Sequence, residues 1–223
     1  MVKFSQFHTH EYRIECLGET LILHCQRALF RPATKTLLMS DIHFGKEEVF
    51  NRAGMALPSG VSQQNLQRLD QLIDRYLPDE IIVLGDLIHA APTANDMWLK
   101  EISNWLDRHS TIKVRVVVGN HDRAIDHLDL RIEWKKKSLL APPFLYSHEP
   151  VTSPSNYVIS GHLHPTYVLT THTDRIRCPV FWFRESNAIL PAFGAFTGGY
   201  NIKPNKNDNL YIAGEDEVIA LHF

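Results

Sequence analysis

The sequence has few cysteines, no long apolar run and no strong excess of charge of either sign. Its three cysteines (Cys16, Cys25 and Cys178) are odd in number and widely spaced, which excludes a disulfide framework and predicts reduced thiols in a cytoplasmic protein. No segment approaches the roughly 18 apolar residues of a membrane-spanning helix, and residues 1–12 lack the apolar stretch of a secretory signal. We therefore expect a cytoplasmic protein with no membrane partner. The net charge of -2 excludes a broad basic surface of the kind that binds nucleic acid without selectivity.

What the chain does contain is an ordinary globular composition together with many histidines. Its 223 residues are 44% apolar and 22% charged, and 13 of them are histidine. This length and composition predict one soluble domain spanning residues 1–223. The number of histidines calls for an explanation by position.

The two halves of the chain have different periodicities. Up to about residue 120, short apolar strands at 36–40, 80–84 and 114–118 alternate with amphipathic helices over 59–77 and 94–109. This alternation predicts a largely parallel sheet with crossover helices. After residue 129 the chain is rich in strand candidates, at 130–134, 144–147, 157–160, 167–170, 180–183, 188–193, 210–214 and 217–223. No linker separates the halves, so we expect two sheets in one domain.

Five of these apolar strands run directly into carboxylate, imidazole or amide side chains. The side chains that follow strand ends are Asp41, His43, Asp86, Asn120, His121, Asp122, His148, His162 and His164. Each motif alone has an ordinary alternative, such as a capping aspartate or a tight turn. Because ligands of α/β sheets bind beyond the carboxyl ends of the strands, the recurrence predicts a metal site instead.

The chemistry of these side chains indicates the kind of metal. Two aspartates, one asparagine and four histidines without thiolate suit Mn, Fe, Zn or Co better than Ca or a soft copper ion. Seven ligands are too many for one tetrahedral ion. They suit two ions about 3.5–4 Å apart that share a bridging carboxylate, an arrangement used for displacement at phosphorus.

These motifs resemble those of the calcineurin-like metallophosphoesterases over residues 36–165. A narrower resemblance covers residues 17–201 and is to the bacterial ligase-associated DNA damage response endonuclease family. It is carried by SDIHFGKEEVFNRAGMALP (40–58), GDLIHA (85–90), SHEP (147–150), GHLHP (161–165) and LPAFGAFTGG (190–199). One departure is His89, which stands where many superfamily members end the Gly-Asp segment with an acidic or amide residue. This leaves the role of His89 open.

The resemblance implies a fold and a set of residue roles. The fold is a four-layer α/β/β/α sandwich, with two facing mixed β-sheets flanked by helices. Asp41, His43 and His164 would bind the first ion. Asn120, His148 and His162 would bind the second, and Asp86 would bridge the two. His121 would be catalytic and face the phosphate, while Asp122 would orient the His121 ring.

The expected activity is that of a dinuclear, metal-dependent phosphodiesterase using a metal-bridging hydroxide, with Mn as the expected metal. The resemblance favours a DNA endonuclease of DNA repair that acts in association with a DNA ligase and a helicase. Two alternatives stay open: hydrolysis of a small nucleotide or other small phosphoester, and a non-catalytic binding scaffold with this fold.

We expect single-stranded DNA to be the preferred form of the substrate, because the net charge of -2 does not support extended contact with a duplex. The candidate phosphate contacts are the cations that follow the metal motifs, namely Lys46, Arg52 and Arg123. Phe193 and Phe196 are candidates for stacking on unpaired bases. The oligomeric state is left open.

Overall fold

The computed structural model describes residues 10–55, 60–89, 91, 96–122, 128, 130–170, 174–195 and 197–221. Among them are three α-helices: α1 (Lys46–Arg52), α2 (Val61–Tyr76) and α3 (Met97–Arg108). The strands of the first sheet are β1 (Glu11–Cys16), β2 (Glu19–His24), β3 (Ala28–Arg31), β4 (Thr36–Met39), β5 (Glu80–Val83), β6 (Lys113–Val117) and β7 (Glu133–Lys135). Those of the second are β8 (Ser138–Ala141), β9 (Phe144–Ser147), β10 (Tyr157–Ser160), β11 (Pro165–Thr170), β12 (Arg175–Phe183), β13 (Asn187–Ile189), β14 (Tyr200–Asn201), β15 (Asn209–Ala213) and β16 (Val218–Leu221).

The first sheet follows chain order from β1 to β7. Strands β1 to β4 are antiparallel, whereas β4 to β7 are parallel. Helices α2 and α3 pack on one face of this sheet. Apolar residues of α2 and α3, such as Leu69 and Trp105, share a cluster there with Met39, Ile81 and Val116 of the strands. The predicted parallel sheet with crossover helices is confirmed in this half.

The second sheet packs against the other face of the first. Leu38 and Ile82 of the first sheet share a buried cluster with Ile159, Phe181 and Phe183 of the second. Alternate residues of a strand point to opposite faces. Accordingly, the neighbours Val180 and Trp182 belong to a separate apolar cluster on the outer face.

Two mixed sheets that face one another, with helices outside, confirm the predicted α/β sandwich. On the outer face of the second sheet, Val180, Leu210 and Ile212 of its strands form an apolar cluster with Ile202.

Some element boundaries differ from those predicted. The sequence predicts two or three strands between residues 21 and 39, and the apolar run 21–30 divides into β2 and β3 because the chain turns at Arg27, whose φ is 65°. Residues 44–60 are polar and punctuated by glycine, which predicts a connection, but helix α1 lies within them. Strands β1, β8 and β14 were not predicted. None of the described helices is long and apolar enough to cross a bilayer.

Candidate metal centre

The polar residues predicted as ligands come from strand ends of both sheets. Strands β4, β5 and β6 of the first sheet lead into Asp41, Asp86 and Asn120. Strands β9 and β10 of the second lead into His148 and His162. The carboxyl ends of these five strands lie side by side where the two sheets meet. The sequence-predicted ligands therefore lie within one site, between the sheets.

The backbone at the strand ends turns sharply. Five site residues adopt left-handed conformations with φ between 47° and 69°: Asp41, His43, Asp86, His162 and His164. Such a conformation costs on the order of 1–3 kcal/mol per non-glycine residue and needs support from its surroundings. Part of that support is backbone pairing between the first two loops: the amides of Asp41 and His43 donate to the carbonyls of Gly85 and Asp86.

Asp41, His43 and His164 form the first ligand triad, with one ligand atom of each within 4.8 Å of the others. His164 Nε2 lies 3.2 Å from Asp41 Oδ1, yet neither of these buried atoms has a properly oriented hydrogen bond. His164 Nδ1 lies 3.1 Å from the Gly198 carbonyl, to which it donates. In the neutral ring with its proton on Nδ1, Nε2 would carry a lone pair directed at the site, the orientation of a metal-binding imidazole.

Asp86, His148 and His162 form the second triad. His148 Nδ1 donates to the Leu84 carbonyl at 2.9 Å, so Nε2 is the nitrogen that faces the site. That nitrogen lies 3.0 Å from Asn120 Oδ1 and 3.0 Å from His162 Nδ1. Several electron-pair donors thus converge on one small volume, where a cation would relieve their mutual repulsion.

Asp86 belongs to the second triad and also lies close to the first. Its Oδ2 is 3.9 Å from His43 Nε2 and 3.6 Å from His148 Nε2. Its Oδ1 accepts the His121 amide at 2.9 Å, which fixes the orientation of the carboxylate. One carboxylate oxygen is therefore within reach of both groups of ligands.

Two glycines allow the ligand side chains of neighbouring strands to come this close. A Cβ on Gly85, whose φ is +82°, would lie 2.1 Å from His148 Nδ1. A Cβ on Gly119 would lie 2.2 Å from Asp86 Oδ1. The glycine in each motif makes room for a ligand side chain of a neighbouring strand.

The protonation of these groups also suits a cation. Burial lowers the pKa of His43 to about 3, so its ring is neutral at pH 7. Burial alone would raise the pKa of Asp41, but His164, His148 and the His162 amide together lower it. Imidazole nitrogens, carboxylate oxygens and an amide oxygen are the donor set of borderline divalent metals. The residues present therefore fit such ions.

His121 and His89 lie beside the first triad. The His121 ring donates from Nδ1 to the His89 carbonyl at 2.7 Å, and the two rings stack with centroids 4.9 Å apart. His89 Nδ1 is also 3.3 Å from His43 Nδ1. His43, His89 and His121 each have a ring nitrogen within 4.8 Å of the other two. Burial, aided by His121 and Lys46, lowers the pKa of His89 to about 4. The sequence left the role of His89 open, and the structure places its ring beside His43 and His121 at the metal centre.

Asp122 has a different contact from the one expected. It was predicted to orient His121, but its fully buried carboxylate accepts the amides of Gly119 and Ile88, at 2.9 and 3.2 Å. Burial raises its pKa to about 6 despite these amides. Asp122 ties the loop after β6 to the loop after β5, and the His89 carbonyl orients the His121 ring instead.

The three cations predicted to contact phosphate differ from one another in their surroundings. Lys46 begins α1, and its charge acts on His43, His89 and His164, so it lies close to the site. Arg52 is paired with Glu48 and Asp96, which offset its charge. Arg123 lies outside the described residues.

The aromatic residues predicted to stack on bases also need revision. Phe193 is fully buried, with the Arg68 guanidinium 4.1 Å from its ring centroid. It therefore cannot stack on a base. Phe196 lies outside the described residues. Tyr200 is 61% exposed, and its amide donates to the His164 carbonyl.

The sandwich fold and its paired Asp/His clusters define a metal-dependent phosphoesterase, a hydrolase of phosphoester bonds. A profile of the calcineurin-like phosphoesterases matches residues 34–188. The chain belongs to this family.

The solved structure of a nuclease agrees with this assignment. The chain is 36% identical to a nuclease of Pseudomonas putida named MPE, with a TM-score of 0.84 over 95% of this chain and 100% of that one. A phosphoesterase of E. coli, Yfce, has 14% identity and a TM-score of 0.43 over 83% of this chain and 96% of its own. A comparison with curated protein sequences finds no match.

Proposed function

We propose that this protein is a dinuclear metal-dependent phosphodiesterase that cleaves DNA internally, with a preference for single strands. The observation that carries the proposal is the pair of ligand triads with Asp86 between them. A single-ion site would use three or four of these side chains and leave the others as buried acceptors without partners, which is costly.

Each triad would supply ligands for one ion. Asp41, His43 and His164 would hold the first ion; His148, His162 and the neighbouring Asn120 would hold the second, and Asp86 is within reach of both. When bound, the two ions would lower the pKa of an attacking water toward about 7 and neutralise charge on the phosphate. The chain alone contributes two negative charges here, from Asp41 and Asp86, and would repel a phosphodiester.

His121 is the catalytic residue that lies outside both triads. Its Nδ1 donates to the His89 carbonyl, so Nε2 is the nitrogen left to act on substrate. We place Nε2 on the leaving-group side, where the imidazolium form of the ring gives its Nε2 proton to the departing oxygen and keeps the Nδ1 proton on the His89 carbonyl. A positioned acid of this kind contributes about 10²–10⁴-fold to the rate. His89 and, through the loop backbone, Asp122 are positioning residues.

Three considerations support DNA as the substrate. The similar Pseudomonas putida protein is a nuclease. The net charge of -2 limits the number of phosphate contacts, which favours a flexible single strand that can bend into the site. Lys46 supplies a cation beside the triads. The donor set supports Mn²⁺ as the metal. The motif resemblance supports a role in DNA repair together with a DNA ligase and a helicase.

Circular single-stranded DNA tests this proposal, because it has no ends for an exonuclease. Mn²⁺-loaded protein is expected to linearise and then fragment the circle, and to act more slowly on a relaxed duplex circle. Bis-p-nitrophenyl phosphate serves as the small-ester control. If the ester is hydrolysed and the single-stranded circle stays intact, the endonuclease proposal is wrong and the small-phosphoester alternative replaces it.

A further inference from the structure

A groove lined by arginines leads away from the metal centre. It consists of two adjoining cavities of about 260 and 610 Å³, which share Arg27, Arg177 and Pro179 in their walls. The smaller cavity is also lined by His164, a member of the first triad. The larger continues to Arg68. The groove therefore begins at the metal centre and extends well beyond the volume of one phosphate group.

The charge of this groove is positive and poorly compensated. Three arginines line it against one acidic residue, Glu215. Among the described residues, Arg27 and Arg68 have no carboxylate partner. Their guanidinium groups donate instead to neutral carbonyl oxygens, Arg68 to Phe193 at 2.8 Å and Arg27 to Ala192 at 3.4 Å.

Both guanidinium groups are half-buried, which makes their charge costly. Partial burial lowers the pKa of Arg27, and burial together with the neighbouring Arg27 charge lowers the pKa of Arg68 to about 10. A partly desolvated cation without a counter-ion is destabilising, and an anion bound in the groove would offset that cost. Arginine also offers a planar set of donors that matches the oxygens of a phosphate.

Arg177 lines both cavities of the groove. It lies on β12, is exposed, and has no ion pair within the part of the chain that the structure describes. Arg175 lies two residues earlier on the same face of β12 and is equally exposed, but it lines neither cavity. The chain thus offers a matched pair of arginines, one inside the groove and one outside it.

We propose that this groove binds backbone phosphates of single-stranded DNA on one side of the cleaved bond, through Arg27 and Arg177, with Arg68 adding positive charge. The inference rests on the proposed function, since it extends the same substrate from the metal centre. Proteins that bind single strands commonly use a positively charged groove that follows the backbone.

The test compares Arg177→Gln and Arg27→Gln with Arg175→Gln in the Mn²⁺-loaded protein. Loss of one arginine–phosphate contact is expected to raise KM for single-stranded DNA about fivefold. It should also make the slope of log(kcat/KM) against log salt shallower by about 0.7. Arg175→Gln should keep the wild-type KM and slope. Arg27→Lys should recover much of the loss, and thermal denaturation confirms that each variant is folded.

Bis-p-nitrophenyl phosphate distinguishes the outcomes, because it reaches only the metal centre. We expect both groove variants to lose several times more activity on DNA than on this ester. Equal losses on both substrates would show that the arginines act through the fold of the site, and would overturn the proposal. Wild-type DNA kinetics in both variants would overturn it too, while the proposed function would stand. Failure of the wild-type protein to cleave the circle would overturn the proposed function itself.

Discussion

Replacement of Asp86 by asparagine should remove metal from the site and abolish phosphodiester cleavage. Asparagine keeps the shape of the side chain and an oxygen that can accept the His121 amide, but it lacks the negative charge between the two triads. Because the ions provide the activated water, we expect a loss of activity on the order of 10⁴-fold or more.

The measurement is the metal content after reconstitution with Mn²⁺, together with cleavage of single-stranded DNA. Asp79→Asn is the matched control, since Asp79 is an exposed aspartate whose nearest cation, Lys35 Nζ, is 3.8 Å away. That variant should keep the wild-type metal content and rate. An Asp86→Asn protein that binds two ions and cleaves DNA normally would contradict the bridging role.

His121→Ala should have the opposite signature, with metal retained and turnover lost. His121 belongs to neither of the two ligand triads, and the His89 carbonyl holds its ring. Removing a general acid should lower kcat on DNA on the order of 10²-fold or more. The loss should be much smaller on bis-p-nitrophenyl phosphate, since a nitrophenolate leaves without needing a proton.

His109→Ala serves as the control for this variant, because His109 lies at the end of α3 and bonds to Asp70. It should keep the wild-type activity on both substrates. If His121→Ala loses its metal, or loses equal activity on both esters, the assignment of His121 as the acid is wrong.

The fold was largely predictable because its strands and helices carry strong periodic patterns. The amphipathic repeat of α2 and α3 and the apolar runs of β4, β5 and β6 reflect burial on the faces of one sheet. Strands β1 and β14 lacked such a pattern, since β1 is only partly buried and β14 is two exposed residues long. Their existence depends on pairing with neighbours, which local sequence does not encode.

The convergence of these Asp, Asn and His residues could be predicted because they lie in the loops that follow buried strands. The contacts behind them could not. His89 positions His121 through a backbone carbonyl, and any residue type supplies a carbonyl. Asp122 reaches the amide of Ile88, on the loop after another strand. The left-handed conformation of Asp41 and Asp86 likewise results from tertiary contacts, because neither residue type requires it.

The arginine groove could not be predicted from the sequence either. Arg27, Arg68 and Arg177 lie on a turn, a helix and a strand that are far apart along the chain. The cations nearest to the metal motifs in sequence drew attention instead, and one of them, Arg52, is paired with carboxylates. Proximity in sequence was a poor guide because the site is assembled from two sheets.

The most direct test of the central claim is a titration of metal-free protein with Mn²⁺, followed by cleavage of circular single-stranded DNA at each ratio. Two ions sharing Asp86 predict that activity rises until about two equivalents per chain are bound and then stays constant. Full activity at one bound equivalent, with no further gain from a second, would contradict the two-ion site.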